Sequence, residues 1–445
     1  MQNAAQLKQS AGPYHLNDWT RLPRTIGKEM LCRILEWQVV RLRAKYKFKI
    51  VAVAGSIGKT STKLAIAHTL AASKTVVYQD GNYNDRVTVP LVLFGHSLPG
   101  LLNVIAWSKI VIANEQTIRR GYRCDVAVLE LGTDGPGQIS KFAYLHPDIV
   151  IVTAVTPEHM AFFKTLDAVA AEELAVINYS DTTIINSDDT PHEYLRNDNI
   201  KTYGKSASAS YRIVQSQTNA LSGLTLQLSF GDNADASETF SSPMLGAAGA
   251  KITAAAIAVA YELGISHDVI RSSLLNLPPV PGRMQILAGL HDSIIIDDTY
   301  NASPAPVIAG LDVLAQTPAT RRIAILGSMN ELGNYSQQAH EEVGAHCSPK
   351  YLNLVVTIGE DAKKYLAPRA ASNGCQVESF SSPYDAGEYL KKELTSGTAV
   401  LAEGSQNGVF AEEAIKLLLK DPADGAKLVR QSAYWLGIKQ SQFKL

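Results

Sequence analysis

Cysteine is scarce and scattered. Residues 32, 124, 347 and 375 lie far apart, and no two form a Cys-x-x-Cys pair. That spacing excludes a disulfide framework or a four-cysteine zinc site and suits a reducing, cytoplasmic setting. Long apolar runs are also missing. The most apolar stretch, residues 101–113, is broken by Asn103, Ser108 and Lys109. It falls short of the ~20 residues that span a bilayer and reads as a partly buried helix, with docking on a membrane surface as the alternative. No uninterrupted apolar signal region opens the sequence. Nor is there an excess of either charge: a formal net charge of −1 over 445 residues gives no reason to expect nucleic acid.

What is present is the composition of a soluble globular protein, long enough for two or three domains. The charge is locally uneven. Residues 1–50 carry ten Lys/Arg against three Asp/Glu, which implies a solvated basic helix face or a contact with phosphate or a membrane surface. Within residues 25–45, Ile26, Met30, Ile34, Trp37 and Val40 recur at helical spacing. Strand-like runs follow at 50–54, 75–78, 126–131, 149–155 and 183–185, with helical patterns between several of them, predicting a parallel sheet covered on both faces. Residues 203–243 change to alternation and turns, the pattern of antiparallel strands. An alanine-rich helix is expected over 252–263. The proline-rich stretch 277–282 is the natural linker. Beyond it, strands at 293–296, 322–326, 354–358 and 399–401 predict a second open α/β sheet.

The expected fold class is therefore α/β: a phosphate-loop central domain with a mostly parallel sheet, and a Rossmann-like α/β domain after it. The expected boundaries are 1–48 for a short segment with a basic helix, 49–275 for the central domain and 276–445 for the C-terminal domain.

The clearest chemical signal is Gly55-Ser56-Ile57-Gly58-Lys59-Thr60-Ser61, placed between an apolar strand and a helix. Glycines let backbone N–H groups approach phosphate, and the helix N-terminus favours negative charge. Lys59 supplies a cation for the outer phosphates of ATP and Thr60 a hydroxyl for Mg²⁺. Val53 stands where the usual loop has its first glycine. Glu130 ends the strand at 126–131, and its carboxylate suits Mg²⁺. His159 follows another strand and is a candidate for the same metal, against the commoner reading of a surface histidine.

Taken together, these segments resemble the Mur ligase family, which forms amide bonds at the expense of ATP. The resemblance runs in order from about residue 49 to 415. It takes in Gly81-Asn82-Tyr83-Asn84, Glu130-Leu131-Gly132, His159, Pro281-Gly282-Arg283, Asp297-Asp298-Thr299-Tyr300-Asn301-Ala302-Ser303-Pro304, His340 and Gly404-Ser405. It implies that a substrate carboxylate is phosphorylated and the acyl phosphate then attacked by an amine, with D-alanyl-D-alanine and a peptidoglycan precursor as the expected pair. Lys59, Glu130, His159, Glu173 and Arg283 would then be catalytic. The phosphate loop, Arg283, Asp298, Tyr300 and Asn301 would contact nucleotide, Asn82 and Asn84 would shape the substrate side, and Thr60, Glu130 and His159 would hold the metal.

Several positions depart from that pattern. Glu173 occupies the place of a carbamylated lysine and is either a ready-made carboxylate for a second magnesium or a solvated helix residue. Glu403 replaces a lysine, and Ala248-Gly249 replaces a His-Asn pair. Fewer than fifty residues precede the phosphate-loop domain, too few for the family's UDP-binding domain, so recognition of UDP by a partner protein is one expectation. A folylpolyglutamate-synthase-like or poly-γ-glutamate-type ligase, and a regulatory protein with residual ATPase activity, are the competing readings.

Overall fold

The computed structural model describes residues 22–79, 83–100, 103–157, 160–195, 200–219, 222–231 and 237–444. Two sheets organise it. The first has nine strands in the order β2-β3-β1-β4-β5-β6-β7-β8-β9. Its parallel part comprises β1 (Lys49–Ala54), β2 (Val76–Tyr78), β3 (Val126–Glu130), β4 (Ile149–Val152), β5 (Thr182–Asn186) and β6 (Ile200–Gly204). β7 (Tyr211–Thr218) pairs parallel with β6, and β8 (Leu224–Phe230) and β9 (Ser237–Ser242) complete an antiparallel meander.

Almost every residue of β1, β3 and β4 is buried, as expected of strands covered on both faces. One face is closed by α1 (Leu22–Tyr46), α2 (Lys59–Ala71) takes the other, and α3 (Thr88–Phe94) and α4 (Val104–Arg120) join α1. After β1 the chain builds β2 and β3 on one side and then crosses to β4 on the other. The loop after β1 thus opens at a topological switch point, where open α/β sheets bind ligands.

The stripe formed by Met30, Trp37 and Val40 faces solvent, not the core. The buried side of α1 is Cys32, Leu35, Val39 and Leu42. Both sets fit a 3.6-residue period, and the smaller, less conspicuous one packs. The basic residues of α1 are fasteners as much as a solvated face. Arg43 donates to the Leu145 and His146 carbonyls and to Asp148 Oδ2 (2.7 Å), and Lys45 donates to the Ile118 carbonyl (2.8 Å).

Two short helices, α5 (Met160–Phe163) and α6 (Leu166–Glu173), precede β5, and α7 (Gly246–Glu262) and α8 (His267–Leu274) follow the meander. Alanine and glycine on α7 let it lie close to α2. The stretch between Leu274 and Gln285 holds only an isolated bridge from Val280 to Arg283.

The second sheet runs β10-β11-β15-β12-β13-β14. Its members are β10 (Gln285–Ala288), β11 (Ile294–Asp298), β12 (Arg321–Gly327), β13 (Leu354–Ile358), β14 (Val377–Phe380) and β15 (Thr398–Glu403), parallel except for β10. Helix α9 (Pro304–Gln316) covers it and meets α7: a Cβ on Gly246 would stand 2.5 Å from Val313 Cγ2. Leu245 is buried in the core of this second unit, which joins the two sheets' helices.

Candidate active site

The phosphate loop follows β1 directly. Val53 lies within that strand, in register with Glu130, so the missing glycine falls on regular backbone and the loop turns two residues later, at Gly55. Gly55 has φ +116°, and a Cβ there would come within 2.5 Å of Thr153 Oγ1. Gly58 has φ +79° and caps α2 with no side chain of its own. The first N–H groups of α2 have no partners within the helix and are aimed at the loop's mouth.

Neighbouring strand ends fix the loop. Thr153 Oγ1 donates to the Ile57 carbonyl (2.6 Å), and the Thr156 N–H donates to Ser56 Oγ (2.9 Å). Lys59 Nζ lies over the loop, 3.2 Å from the Ser56 carbonyl.

Glu130 gathers the charged part of the site. It is 3% exposed and accepts from Thr60 Oγ1 (3.0 Å) and Asn84 Nδ2 (3.2 Å), and its Oε2 lies 3.3 Å from Lys63 Nζ. Lys63 is itself fully buried. Sequence reasoning passed over it, although its place one turn after Lys59 on the loop-facing side of α2 was a usable signal. Thr60 and Glu130 bring a hydroxyl and a carboxylate together at the helix start. This hard, all-oxygen pair fits Mg²⁺, which takes few protein ligands beside phosphate. His159 and Asn82 lie outside the described residues.

Glu173 is 2% exposed, which removes the solvated-helix reading. Its Oε2 accepts from the Gly55 N–H at 2.7 Å. The adjacent Glu172 accepts from the Gly137, Gln138 and Ile139 N–H groups. One helix end thus braces two loops, and Glu173 sits where it holds the phosphate loop's strained glycine. Glu173→Gln keeps an acceptor and should leave the magnesium dependence of turnover unchanged. Glu173→Ala strands a buried N–H, a loss of about 1–3 kcal/mol, and should raise the KM for ATP. A changed magnesium requirement in the Gln variant would instead favour a metal role.

Residues 109–260 match the family described as Mur ligase middle domain, and residues 282–406 match Mur ligase, glutamate ligase domain. This chain belongs to the Mur ligase family. Among its relatives, the UDP-N-acetylmuramoyl-tripeptide–D-alanyl-D-alanine ligase of Synechocystis sp. is 28% identical over 390 residues, covering 85% of this chain and 77% of that protein. The enzyme of the same name from Bacillus subtilis is 27% identical over 383 residues, covering 84% and 76%. In fold, the chain resembles MurF of Acinetobacter baumannii (TM-score 0.69, 21% identity, 86% of this chain and 78% of that one). It also resembles MurF of Thermotoga maritima in complex with ADP (TM-score 0.68, 20% identity, 93% and 84%).

In this Mur ligase the candidate site residues that follow the linker gather near the C-terminal ends of β11 and β15. Arg283, just past the linker, stacks on the Tyr300 ring at 4.3 Å. Burial raises the Tyr300 pKa, opposed by Arg283, and the Glu130 carboxylate adds to the rise, so the tyrosine feels the charge of the phosphate-loop cluster. Asn301 is exposed. The Thr299–Tyr300 backbone is gripped from the far end of the chain: Arg430 donates to the Tyr300 carbonyl (2.8 Å) and the Thr299 carbonyl (2.5 Å) while pairing with Glu412 at 2.7 Å. Buried Lys439, on the last helix, pairs with Glu412 and Glu413. These residues lie beyond the matched 282–406 and carry no motif that would have revealed them.

Asp298 and Glu403 are register partners on adjacent strands. Glu403 is 1% exposed, and among the described residues no donor reaches either oxygen. Burial, and then the Asp298 charge, push its pKa well above the carboxylate range. Burial also lifts Asp298 to about 6, against the pull of Arg283. Burial and the neighbouring Asp298 thus both favour the protonated form of Glu403. Asp297, on the opposite face, is held by Thr299 and also raised to about 6 by burial.

Where the resemblance places a lysine, this chain thus has a carboxyl whose neutral form is favoured by burial. Between the ordinary carboxyl range and the raised value, the folded chain binds a proton that the unfolded chain releases, so stability falls as pH rises. Glu403→Gln mimics the protonated form. Its unfolding temperature should gain on the parent's as pH rises above the ordinary carboxyl range, and a gap independent of pH would show that Glu403 binds no extra proton on folding.

Proposed function

We propose that this chain is an ATP-dependent ligase that joins D-alanyl-D-alanine to a muramoyl-peptide precursor of peptidoglycan. The carrying observation is the Thr60–Glu130–Lys63 cluster beside Lys59 at the phosphate loop, with Arg283 stacked on Tyr300 in the second unit. Two named relatives with this activity align over most of the chain, and they favour this reading over a folate or poly-γ-glutamate ligase.

In the reaction, a carboxylate oxygen attacks the γ-phosphorus of ATP and the bond to ADP breaks. The amine nitrogen then attacks the acyl carbon, the carbon–oxygen bond to phosphate breaks, and a proton leaves the nitrogen. Little covalent work falls to the protein, and positioning and charge neutralisation dominate. The amides of the loop from Gly55 to Ser61 would hold the phosphates. Lys59 would move from its loop carbonyl to the outer phosphates, and Arg283 would neutralise charge from the facing unit. Magnesium, which Thr60 and Glu130 would hold together with His159, supplies charge compensation at the phosphates. Asn84 orients Glu130, and with Asn82 we assign it to the substrate side. Tyr300, Asn301 and Asp298 we assign to the nucleotide side.

We also divide the chain functionally at 49 and 276, the sheets supporting two working units behind an N-terminal helix. Among the described residues no helix is long and apolar enough to cross a membrane. We place the reaction in the cytoplasm, where ATP is available and the free Cys32, Cys347 and Cys375 stay reduced.

The test is ADP release with UDP-muramoyl tripeptide, free peptide or folate as acid, each with D-alanyl-D-alanine or glutamate as amine. Release that needs a muramoyl peptide together with D-alanyl-D-alanine is the expected result. Release driven by folate and glutamate, or by no pair, would overturn it.

A further inference from the structure

We propose that the outward face shared by α1 and α4 docks the chain on an anionic phospholipid surface. Six large apolar side chains are exposed there: Met30 (64%), Trp37 (56%) and Val40 on α1, and Val104 (73%), Ile105 (71%) and Ile112 on α4. The two helices lie side by side. Gln38 donates to the Val111 carbonyl, and Arg41 both stacks on Trp37 at 4.3 Å and pairs with Glu115 at 2.6 Å. Since Glu115 is one turn from Ile112, Trp37, Arg41, Glu115 and Ile112 form a continuous strip.

The outward orientation is built in, because the opposite side of each helix is core: Leu35, Val39 and Leu42 on α1, and Trp107, Ile110 and Ile118 on α4. Scattered exposed apolar residues need no explanation, but a contiguous set does.

Charge selects the occupant. The acids of these helices are engaged: Glu29 and Glu36 by Arg86, Glu115 by Gln38 and Arg41. Lys109, Arg119 and Arg120 on α4 have no ion pair among the described residues. An apolar strip containing tryptophan and flanked by unpaired cations suits the headgroup boundary of an anionic bilayer. It does not suit an acidic protein surface, which would leave the apolar residues without partners. The phosphate loop lies at the sheet's strand ends, not under this face, so docking leaves the reaction site open to solvent.

The test is flotation of the full chain with vesicles of phosphatidylglycerol and phosphatidylcholine, or of phosphatidylcholine alone. The parent should float with the anionic vesicles and lose this binding as salt is raised. Trp37→Ser/Ile105→Ser/Ile112→Ser and Lys109→Glu/Arg119→Glu/Arg120→Glu should each bind at least tenfold more weakly. Every altered side chain is exposed and outside the reaction site, so ADP release and unfolding temperature should stay at the parent's values. Equal flotation of parent and variants, no preference for anionic vesicles, or a concentration-dependent dimer abolished by the same substitutions without vesicle binding would overturn the proposal. The last result would give the face to a second copy of the chain.

Discussion

In a Lys59→Ala variant, ADP release should fall by about 10²–10³-fold, with thermal unfolding nearly unchanged. The two effects separate because of where the side chain sits. Lys59 Nζ rests on the Gly55 and Ser56 carbonyls at the rim of the loop, and the residue is only partly buried. Its loss therefore leaves no cavity in the core. Its role arises when phosphate arrives: a preorganised cation at the developing charge is worth about 2.7–4 kcal/mol when removed. Backbone N–H groups from Gly55 to Ser61 remain in the variant, so nucleotide affinity should fall less than turnover. Steady-state kinetics with a binding titration would show this as a larger change in kcat than in Kd. Retained turnover would mean that the loop is a structural turn with no part in the chemistry.

The alternation of buried strands with helices was legible because strands covered on both faces must be apolar throughout. Thus β1, β3, β4, β12 and β13 lie within a residue or two of their expected positions, apart from the C-terminal end of β4. Three strands went unseen. Only the last two residues of β6 are buried, β10 alternates buried and exposed residues over four positions, and β14 is nowhere fully buried; strands this short leave too few residues for a period. The helical spacing on α1 was legible, but periodicity says nothing of whether another surface covers a stripe, and Met30, Trp37 and Val40 face solvent.

The site divides along a similar line. Gly55, Gly58, Lys59 and Thr60 announce themselves, because the conformations and charges that a phosphate needs restrict the residue types. Glu130 was legible as an acid at a strand end. What it touches was not, because Lys63 and Asn84 reach it only after α2 and the 83–86 turn have folded around β3. Glu173 is a long-range case: its partner, Gly55, is 118 residues away, and nothing local to Glu172-Glu173 distinguishes a buried brace from a solvated pair. Arg430 is more distant still, 130 residues from the tyrosine carbonyl it holds. At Glu403 the sequence disclosed a reversed charge. The packing discloses that this charge is disfavoured, since burial beside Asp298 pushes the Glu403 pKa up.

Lys63→Met should cost far more stability than Lys59→Ala, although the two lysines are one turn apart. Lys63 is completely buried and Glu130 is 3% exposed, with 3.3 Å between the ammonium and the carboxylate. Methionine fills similar space but leaves a buried carboxylate that keeps the neutral donors of Thr60 and Asn84 and loses its buried ammonium partner. Breaking a buried pair on one side costs about 3–5 kcal/mol, which should appear as a clear drop in the urea midpoint at unchanged slope. Turnover should fall as well, since Glu130 is a proposed magnesium ligand. The double variant Lys63→Met/Glu130→Gln removes both charges and should regain much of the lost stability, because replacing a whole buried pair is often close to neutral. It should regain no activity, because glutamine gives the metal a neutral amide in place of a charged carboxylate. A single variant as stable as the parent would show that Lys63 does not compensate Glu130. A double variant that recovers turnover along with stability would show that the pair serves the fold and not the phosphates.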